Sequence, residues 1–445
     1  MWHEILFRIL SIINYVVLII IAIPLLLQIF YVLFSFVKKK TWKKSDVKGR
    51  VAYLIPAHNE EDVIFDTVKS LLEKQTYPRE KFDVFVVAHN CTDRTAELAG
   101  QAGAKVLVLD DPDPAHRMAL YPMKHGVDHI IGLEGDAAYD FIIRIDADNH
   151  VNPEFTSLMN DAFQAGVEFA RSYEGALNGT QNFYTKACAL FYAFDSRFGS
   201  RVRERLGIAA HINGSGSMMS VKMLKECGGY DCKTITEDAE FNFNRMLEGK
   251  KGHFVEDAVA YEDMPSSFRV TLSRNKRIGS GSMELLKGQL LKMFGKFFTT
   301  GNFSYLEMFL TYIFNFLAIL ISVWVPLYYV YHFTYTALVA NGTIAVTWMS
   351  VNYYSDMLWT TLWCAVGIIG GLFVLFGFGQ AAILAIVDYR KLGAKRRREL
   401  ISAVLLFPAF LVLYAVTLCI GAMSKPDEWG KTTRNVPPPQ AEEGD

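Results

Sequence analysis

The segment FIIRIDADN, Phe141–Asn149, decides the fold, because an apolar run that ends in acids is typical of a buried strand. Three similar runs precede it: VAYLIPA at 51–57, FDVFVVAH at 82–89 and KVLVL at 105–109. Helix-like stretches separate these runs. They lie at 62–74, after Thr92 or Asp93, either of which would cap the helix, and at 121–132. The alternation predicts an α/β domain with a mainly parallel sheet and helices on both faces.

Polar residues cluster where these predicted strands end. In open parallel sheets, ligands bind beyond the carboxyl ends of the strands. We therefore expect a ligand-binding edge that contains His58, Asn59, His89, Asn90, Asp146 and Asp148.

The composition places part of the chain in lipid. Its 445 residues would allow about three soluble domains, but 51% are hydrophobic, 20% are charged and the mean hydropathy is +0.17. The formal net charge of −1 argues against a nucleic-acid-binding protein, which carries a basic excess. The six cysteines lack CxxC spacing, which predicts reduced thiols rather than a disulfide framework.

Four long apolar segments predict membrane helices. Ile9–Val37 contains no charged residue and exceeds the ~20 residues that cross a bilayer. A signal peptide is the alternative, but KKKTWKK follows the segment where a cleavage site would be needed. The other three segments lie at about 309–333, 357–387 and 402–423.

Basic residues around these segments predict their orientation. They follow the first and third segments, whereas the 334–356 loop has no Lys or Arg. By the positive-inside rule, we expect a plasma-membrane protein of bacterial type with a cytoplasmic soluble domain and an external N-terminus. The side of the C-terminus stays open, because parity places it outside while Lys425, Lys431 and Arg434 favour the inside. Pro408 would permit a re-entrant bend there.

The predicted organisation has five parts. Residues 1–50 form a membrane helix and a basic linker, and 51–282 form the soluble domain. Residues 283–300 are an amphipathic helix, since Leu290, Met293 and Phe297 share one face while lysines surround the other. Such a helix lies in the headgroup plane or packs on the soluble domain. Residues 301–424 contain about three membrane helices, and 425–445 form a polar tail.

Two acidic pairs are the main candidates for chemistry. Asp146 and Asp148 are two residues apart, so in an extended chain both carboxylates face one bound Mg²⁺ or Mn²⁺. A solvated strand end is the alternative. Glu237 and Asp238 follow Thr236 at a helix start, where a capped helix with favourable charge explains the same residues without function.

Two further segments are candidate binding elements. HINGSGSMMS contains Gly214 and Gly216, which permit close approach of the backbone to a ligand or simply form a turn. SRNKRIGSGS contains three basic residues suited to phosphates or to anionic lipid headgroups: Arg274, Lys276 and Arg277.

The order of these motifs resembles the membrane-bound processive branch of glycosyltransferase family 2, which includes cellulose, chitin and hyaluronan synthases. The matching elements are PAHNE, VVAHNCTDRT, IDADN, INGSGS, ITEDAEF and RNKRI, over about 51–298. The resemblance implies a cytoplasmic GT-A domain with a Rossmann-like sheet that binds a UDP-sugar.

The resemblance also implies roles for individual residues. Asp146 and Asp148 would hold Mg²⁺ or Mn²⁺ and the UDP diphosphate, Asp238 would be the catalytic base, and Arg277 would contact the diphosphate. The other expected substrate-binding residues are Pro56, His58, Asn59, Glu60, His89, Asn90, Asp93, Gly214, Ser215, Gly216, Thr236, Glu237, Arg274 and Lys276.

The sequence departs from the family pattern at two places. The family's QxxRW ends in a Trp that stacks on the acceptor sugar, whereas this chain has Ile278, so Tyr230 or Trp429 is a possible replacement. Ala88 and His89 occupy the place where the family has an acidic residue facing the uridine.

Three functions follow from these observations. The first is inverting, metal-dependent transfer of a sugar from a UDP-sugar to a growing polysaccharide, with a β-linkage and export through the membrane helices. The second is transfer of one sugar to a lipid or lipid-linked acceptor, which Ile278 favours. The third is a membrane protein that binds nucleotide-sugars without catalysis. All three have membrane lipid as a partner, and accessory or export subunits stay unspecified.

Overall fold

The computed structural model describes residues 2–212, 214–345 and 373–424, together with scattered residues between 356 and 371. Eight strands form one sheet. Their bounds are β1 Val51–Ala57, β2 Phe82–His89, β3 Lys105–Leu109, β4 Phe141–Arg144, β5 His150–Val151, β6 Phe169–Ala176, β7 Ser217–Ser220 and β8 His253–Glu262.

The described α-helices are numbered in chain order, and π-helical turns adjoin several of them. The helices are α1 Trp2–Phe34, α2 Ile64–Lys74, α3 Thr95–Gln101, α4 Leu120–Ile131, α5 Phe155–Gln164, α6 Phe183–Phe194, α7 Arg201–Leu206, α8 Val221–Glu226, α9 Glu237–Leu247, α10 Phe268–Leu285, α11 Leu291–Thr300, α12 Phe303–Ala340, α13 Gln380–Val387 and α14 Ile401–Ala422. The π-helical turns are Asp195–Ser200, Leu286–Leu290 and Phe373–Gly379.

The sheet has the order β3-β2-β1-β4-β7-β6-β8-β5. Strands β3, β2, β1 and β4 are mutually parallel, β7 is antiparallel to both of its neighbours, and β6 and β8 are parallel. The predicted α/β domain with a mainly parallel sheet is confirmed.

Side-chain alternation along β1 builds a core on each face of the sheet. Tyr53 and Ile55 point into one core, which α2, α3 and α5 cover, and Leu54 points into the other, which α4 covers. All three side chains are fully buried, and burying one apolar side chain stabilises a fold by about 1.5–3 kcal/mol. The apolar runs of the central strands thus fix both layers of helices.

Two predicted boundaries differ from the structure. Strand β4 ends at Arg144, before the acids at which the sequence predicts its end. Asn149 N–H donates to the Asp146 carbonyl at 3.1 Å and closes a turn, so Asp146 and Asp148 do not lie in the extended chain that the prediction assumed. Helix α3 begins at Thr95, with Arg94 at the cap position. Asp93 still accepts a hydrogen bond from Thr95 N–H at 3.0 Å, so the predicted capping residue lies one position before the N-cap.

Two described helical segments are long and apolar enough to cross a membrane by length and composition, Trp2–Phe34 and Arg397–Ala422. Helix α12 contains the predicted segment 309–333. Of the predicted segment 357–387, only 373–387 is described continuously, and the tail 425–445 lies outside the described residues. Helix α14 is continuous through Pro408, so no break in the helix marks the re-entrant bend that the sequence permits there, and that bend stays a prediction.

The predicted amphipathic stretch 283–300 spans the end of α10, a π-turn and α11. Leu290 and Met293 are buried in a cluster with Tyr305 of α12, while Leu291 and Phe298 are exposed. One face of this stretch therefore packs on α12, whereas an apolar face that contains Leu291 and Phe298 is exposed.

A buried carboxylate joins α1 and α12 to α7. Glu307 of α12 lies 2.8 Å from the Arg203 guanidinium of α7 and accepts a hydrogen bond from Tyr31 of α1 at 3.2 Å. His211 Nε2 lies 3.3 Å from its other oxygen. Three separate parts of the chain are fixed to each other at this point.

Gly216 permits a close packing contact inside the sheet. Its φ is +72°, and a Cβ there would lie 2.0 Å from Ser172 Oγ and 2.9 Å from Ala260 Cβ. The predicted close approach at Gly216 therefore involves strands β6 and β8 of the protein itself.

We expect Gly216→Ala to destabilise the fold by about 2–4 kcal/mol, because it adds overpacking to a left-handed backbone. Gly228→Ala is the matched control, since Gly228 has φ +79° and open space around its Cβ position. Gly228→Ala should lower the free energy of unfolding by only about 1–2 kcal/mol. Thermal unfolding in detergent measures both, and equal melting temperatures for the two variants would contradict the packing role.

Candidate active site

The first two strands end in the same tripeptide, Ala-His-Asn. Ala57 and Ala88 are paired in register, and Asn59 and Asn90 both have positive φ, at 55° and 48°. Asparagine tolerates the left-handed conformation better than most residues. The two chains therefore turn in the same way at the same edge of the sheet.

The side chains of these asparagines hold the loops that follow. Asn59 Oδ1 accepts a hydrogen bond from Thr92 N–H at 2.8 Å, and Asn90 Oδ1 accepts one from Asp111 N–H at 2.7 Å. Asp93 accepts from Glu61 N–H at 3.2 Å, and Glu60 N–H donates to Thr95 Oγ1 at 2.8 Å. These expected substrate-binding residues shape the rim of the site through loop contacts.

The two histidines of this edge lie side by side. His58 Nδ1 is 2.8 Å from the His89 carbonyl oxygen, and His89 is only 1% exposed. Burial, together with the nearby His58 ring, lowers the pKa of His89. A neutral, buried imidazole thus stands where the family has an acid. Pro56 is buried within β1, opposite Val87.

Asp146 and Asp148 lie on the turn that follows β4, with the buried Ala147 between them. The Ala147 carbonyl accepts a hydrogen bond from Thr67 Oγ1 at 2.7 Å. Ser215 Oγ accepts from Asp146 N–H at 3.1 Å and from Asn149 Nδ2 at 2.6 Å. Ser215 therefore holds the turn that carries both acids.

The donor set of this turn fits a hard divalent cation. Both carboxylates are partly exposed, and the Asp146 side chain keeps 43% of its surface accessible. Within the ranges described, no group of three or more His, Cys, Asp or Glu forms a metal cage. Mg²⁺ typically takes one or two protein carboxylates and completes its shell with waters and substrate phosphates, so two acids suffice.

Arg144 connects the two acidic motifs. Its Nη1 lies 2.8 Å from Glu237 Oε1, and its Nε lies 3.4 Å from Asp146 Oδ1. Arg144 and Glu237 are both buried. Burial raises the pKa of Glu237 to about 7, although Arg144 acts in the opposite direction. Glu237, which the sequence predicts to bind substrate, is also the buried partner of Arg144.

Asp238 is the partly exposed member of the second pair. It lies in the first turn of α9, where its Oδ1 accepts from Ala239 N–H at 2.8 Å. A Cβ on Gly214 would lie 3.3 Å from Asp238 Oδ2 and 3.2 Å from the Arg144 guanidinium. The missing side chain of Gly214 thus keeps the space between Asp238 and Arg144 open.

Helix α10 closes this side of the site. Arg274 pairs with Glu262 at 3.1 Å and lies over the Tyr192 ring at 4.6 Å. Arg277 interacts electrostatically with Glu237 and Asp146, while burial and the nearby Arg274 lower its pKa. A Cβ on Gly281 would lie 2.3 Å from Thr236 Cγ2, so α10 packs tightly against the start of α9.

The predicted basic cluster is divided between two faces of α10. A Cβ on Gly421 of α14 would lie 2.6 Å from Lys276 Cα, and Asn275 Nδ2 donates to Thr417 Oγ1 at 2.7 Å. The backbone around Lys276 therefore contacts α14, whereas Arg277 interacts with the acids. The role of Lys276 in substrate binding stays a prediction.

Tyr230 is not a replacement for the missing tryptophan. It is buried in the core and stacks on Phe241, with ring centroids 5.0 Å apart. Trp429 lies outside the described residues.

Sequence reasoning missed Arg144 and Glu262. Arg144 is the charged residue that ends the otherwise apolar strand β4, a signal that would have singled it out, whereas Glu262 ends a strand that also contains Glu256 and Asp257. Burial raises the pKa of Glu262 to about 7.

A sheet of this order with these acids at its carboxyl edge defines a glycosyltransferase with a GT-A-like fold. The chain belongs to the family described as glycosyl transferase family group 2, whose model matches residues 141–416. The model for glycosyl transferase family 2 matches residues 53–228.

Curated relatives include glycosyltransferases of several kinds. The probable glycosyltransferase YdaM of Bacillus subtilis is 25% identical over 61% of this chain and 64% of its own length. A beta-monoglucosyldiacylglycerol synthase of Nostoc is 27% identical over 44% of this chain and 41% of its own. A probable glucomannan 4-beta-mannosyltransferase of Arabidopsis thaliana is 25% identical over 40% and 35%. The chain thus spans less than two thirds of each of these relatives.

A solved structure with a similar fold is the mannosyltransferase PcManGT from Pyrobaculum calidifontis, in complex with GDP-Man and Mn²⁺. It covers 89% of this chain and 98% of its own, with a TM-score of 0.52 and 15% identity. At that identity the likeness concerns the fold alone.

We expect Arg277→Ala to lower kcat/KM by about a hundredfold, because removing one donor that stabilises developing charge costs about that much. Lys276→Ala is the control from the same helix and should stay within about twofold of the wild type, since the backbone at Lys276 faces α14 rather than the acids. Nucleotide release at varied donor concentration measures both. Equal losses in the two variants would contradict the division of the basic cluster.

Proposed function

We propose that this glycosyltransferase inverts the donor sugar as it transfers it from a nucleoside-diphosphate sugar to a hydroxyl held at the membrane surface. The observation that carries the proposal is the position of α9. Its first turn holds Asp238, and further along Phe243 meets Tyr312 of α12, with ring centroids 4.9 Å apart. The helix with the base is thus the helix that contacts the membrane segments.

In the proposed reaction, Asp238 takes the proton of the acceptor hydroxyl while that oxygen attacks the anomeric carbon. The bond from the anomeric carbon to the diphosphate oxygen breaks, and the electron pair leaves with the nucleoside diphosphate. One displacement inverts the anomeric centre, so an α-linked donor gives a β-glycoside. Arg277 stabilises the negative charge that grows on the leaving group.

Asp146 and Asp148 would hold Mg²⁺ or Mn²⁺, which when bound neutralises charge on the diphosphate. Their partial exposure on a turn fixed by Ser215 and Thr67 supports this assignment. Arg144 keeps its charge beside them and orients Asp146 from the protein side.

We propose a lipid or lipid-linked acceptor. Ile278 offers no stacking surface and Tyr230 is buried, so the described part of the site lacks the aromatic platform expected at those positions. The segment before α12 also contacts α9, where Gln289 Nε2 donates to Asn244 Oδ1 at 2.7 Å. Exposed Leu291 and Phe298 on α11 favour an approach from lipid. The diacylglycerol-glucosylating relatives are in accord with this choice.

A growing polysaccharide is the second candidate acceptor. The glucomannan mannosyltransferase relatives favour it, as does the number of predicted membrane segments. The non-catalytic alternative is disfavoured, because the chain belongs to a glycosyltransferase family and retains an accessible acid at the start of α9.

We propose that the donor nucleotide is UDP, because of the sequence resemblance. His89 replaces the expected acid, so a panel of UDP- and GDP-sugars is the appropriate assay. We also propose that the catalytic domain is cytoplasmic, because basic residues flank it at 38–50 and at 390–398.

We expect Asp238→Asn to lower kcat by about 10²–10⁴-fold, the usual contribution of a general base. Donor affinity should change little, since Asp238 accepts the proton of the acceptor hydroxyl and does not bind the donor. Nucleotide release measures kcat, and displacement of a labelled nucleotide measures donor binding. Wild-type kcat in this variant would disprove the base assignment.

We expect the purified enzyme, given membrane lipid and the correct donor, to make a glycolipid that carries one sugar. Thin-layer chromatography and mass spectrometry distinguish this product from a ladder of increasing length. A ladder of products would instead identify a growing polysaccharide as the acceptor. Asp146→Asn is the control, because loss of a proposed metal ligand should abolish either product.

A further inference from the structure

We propose that α14 does not cross the membrane but lies in its plane on the side of the catalytic domain, with its outer face in the acyl chains of that leaflet. The inference rests on the proposed membrane location. It concerns a helix whose length and composition alone fit a spanning segment.

One face of α14 packs along its length against α6 and α10 of the catalytic domain, and near Pro408 the helix also contacts the π-helical turn Phe373–Gly379. The residues of this inner face recur every three or four positions: Ala403, Phe407, Phe410, Tyr414, Thr417 and Gly421. Phe407 and Phe410 share a buried cluster with Leu190 of α6, and the Tyr414 ring lies 4.1 Å from that of Phe191. The spacing matches one stripe of an α-helix.

Both ends of α14 contact helices of the catalytic domain. Near its start, Lys186 Nζ of α6 lies 3.4 Å from Ser402 Oγ. Near its end, Thr417 accepts the hydrogen bond from Asn275 of α10, and a Cβ on Gly279 would lie 2.4 Å from the Leu418 carbonyl oxygen. The contacts extend over about 28 Å of helix at 1.5 Å per residue, close to the full thickness of the hydrocarbon.

The helices that α14 covers cannot themselves lie in hydrocarbon. Helix α10 carries Arg269, Arg274, Lys276 and Arg277, and α6 carries Lys186. Charged side chains in the bilayer centre are expensive. A spanning α14 would draw these charges into the membrane along its length, whereas an in-plane α14 leaves them on the aqueous side.

The opposite face of α14 is apolar and exposed. Its residues are Ile401, Leu405, Val412, Val416, Ile420 and Met423, which are 39–82% exposed. Exposed Arg396, Arg397 and Arg398 precede the helix, and Lys425 follows it in the sequence. An apolar stripe with basic residues at its ends fits acyl chains below anionic headgroups.

Helix α1 shows what a spanning helix of this protein looks like. Only its end meets the catalytic domain, where Tyr31 bonds to Glu307 and contacts Arg203. Its start packs on the far end of α12, where Phe7 stacks on Tyr335 at 4.7 Å. An in-plane α14 also places Lys425, Lys431 and Arg434 on the basic side, which removes the conflict over the C-terminus.

Reporter fusions test the side of the C-terminus in the full chain. Green fluorescent protein after Asp445 should fluoresce and alkaline phosphatase there should be inactive, whereas phosphatase inserted after Thr343 should be active. An active phosphatase after Asp445 would overturn the proposal. A maleimide that does not cross membranes, applied to Lys222→Cys on the catalytic domain, defines the reference side independently of any activity.

Depth measurements test the in-plane orientation directly. Nitroxides on Ile401→Cys, Val412→Cys and Ile420→Cys, in a cysteine-free background that still releases nucleotide, should show the same shallow depth. A spanning helix would place position 412 about 16 Å deeper than position 401, at 1.5 Å per residue. That result would refute the proposal even if the glycolipid assay succeeds, and equal depths would support it even if that assay fails.

Discussion

The buried ion pair between Arg144 and Glu237 is the interaction on which the site depends. It joins the end of a central strand to the first turn of α9, 93 positions later in the chain. Removing one member of a buried pair leaves an uncompensated charge and costs about 3–5 kcal/mol. Because Arg144 also reaches Asp146, this pair sets the distance between the acids that would hold the cation and the acid that would take the proton.

The fold was predictable because it follows from local patterns. The apolar runs of β1, β2 and β4 and the helices between them specify a parallel sheet, and the acids after β4 mark its functional edge. The pairing of Arg144 was not predictable, because no local pattern relates it to Glu237. The packing of Lys276 and Gly216 was not predictable for a similar reason, since each depends on a neighbour from a distant part of the chain, Gly421 or Ser172.

Helix α10 links the acids of the candidate site to α14. On one face it presents Arg274 and Arg277 towards the acids, and on the other it packs on α14 through Asn275 and Gly279. A shift of α14 along this contact would change where the guanidinium of Arg277 stands relative to Glu237 and Asp146. The position of Arg277 is therefore determined partly by a helix that contains none of the quoted sequence motifs.

The close approach of Gly279 and Gly421 to the partner backbones also bears on how this enzyme can be divided. A polypeptide ending near residue 300 would keep every acid of the site, yet it would uncover Phe191 and leave Asn275 without its partner. Such a fragment would be expected to aggregate, or to bind its donor in a loosened pocket. For the same reason, exchange of catalytic domains between relatives should succeed only when α14 is transferred together with the domain that it covers.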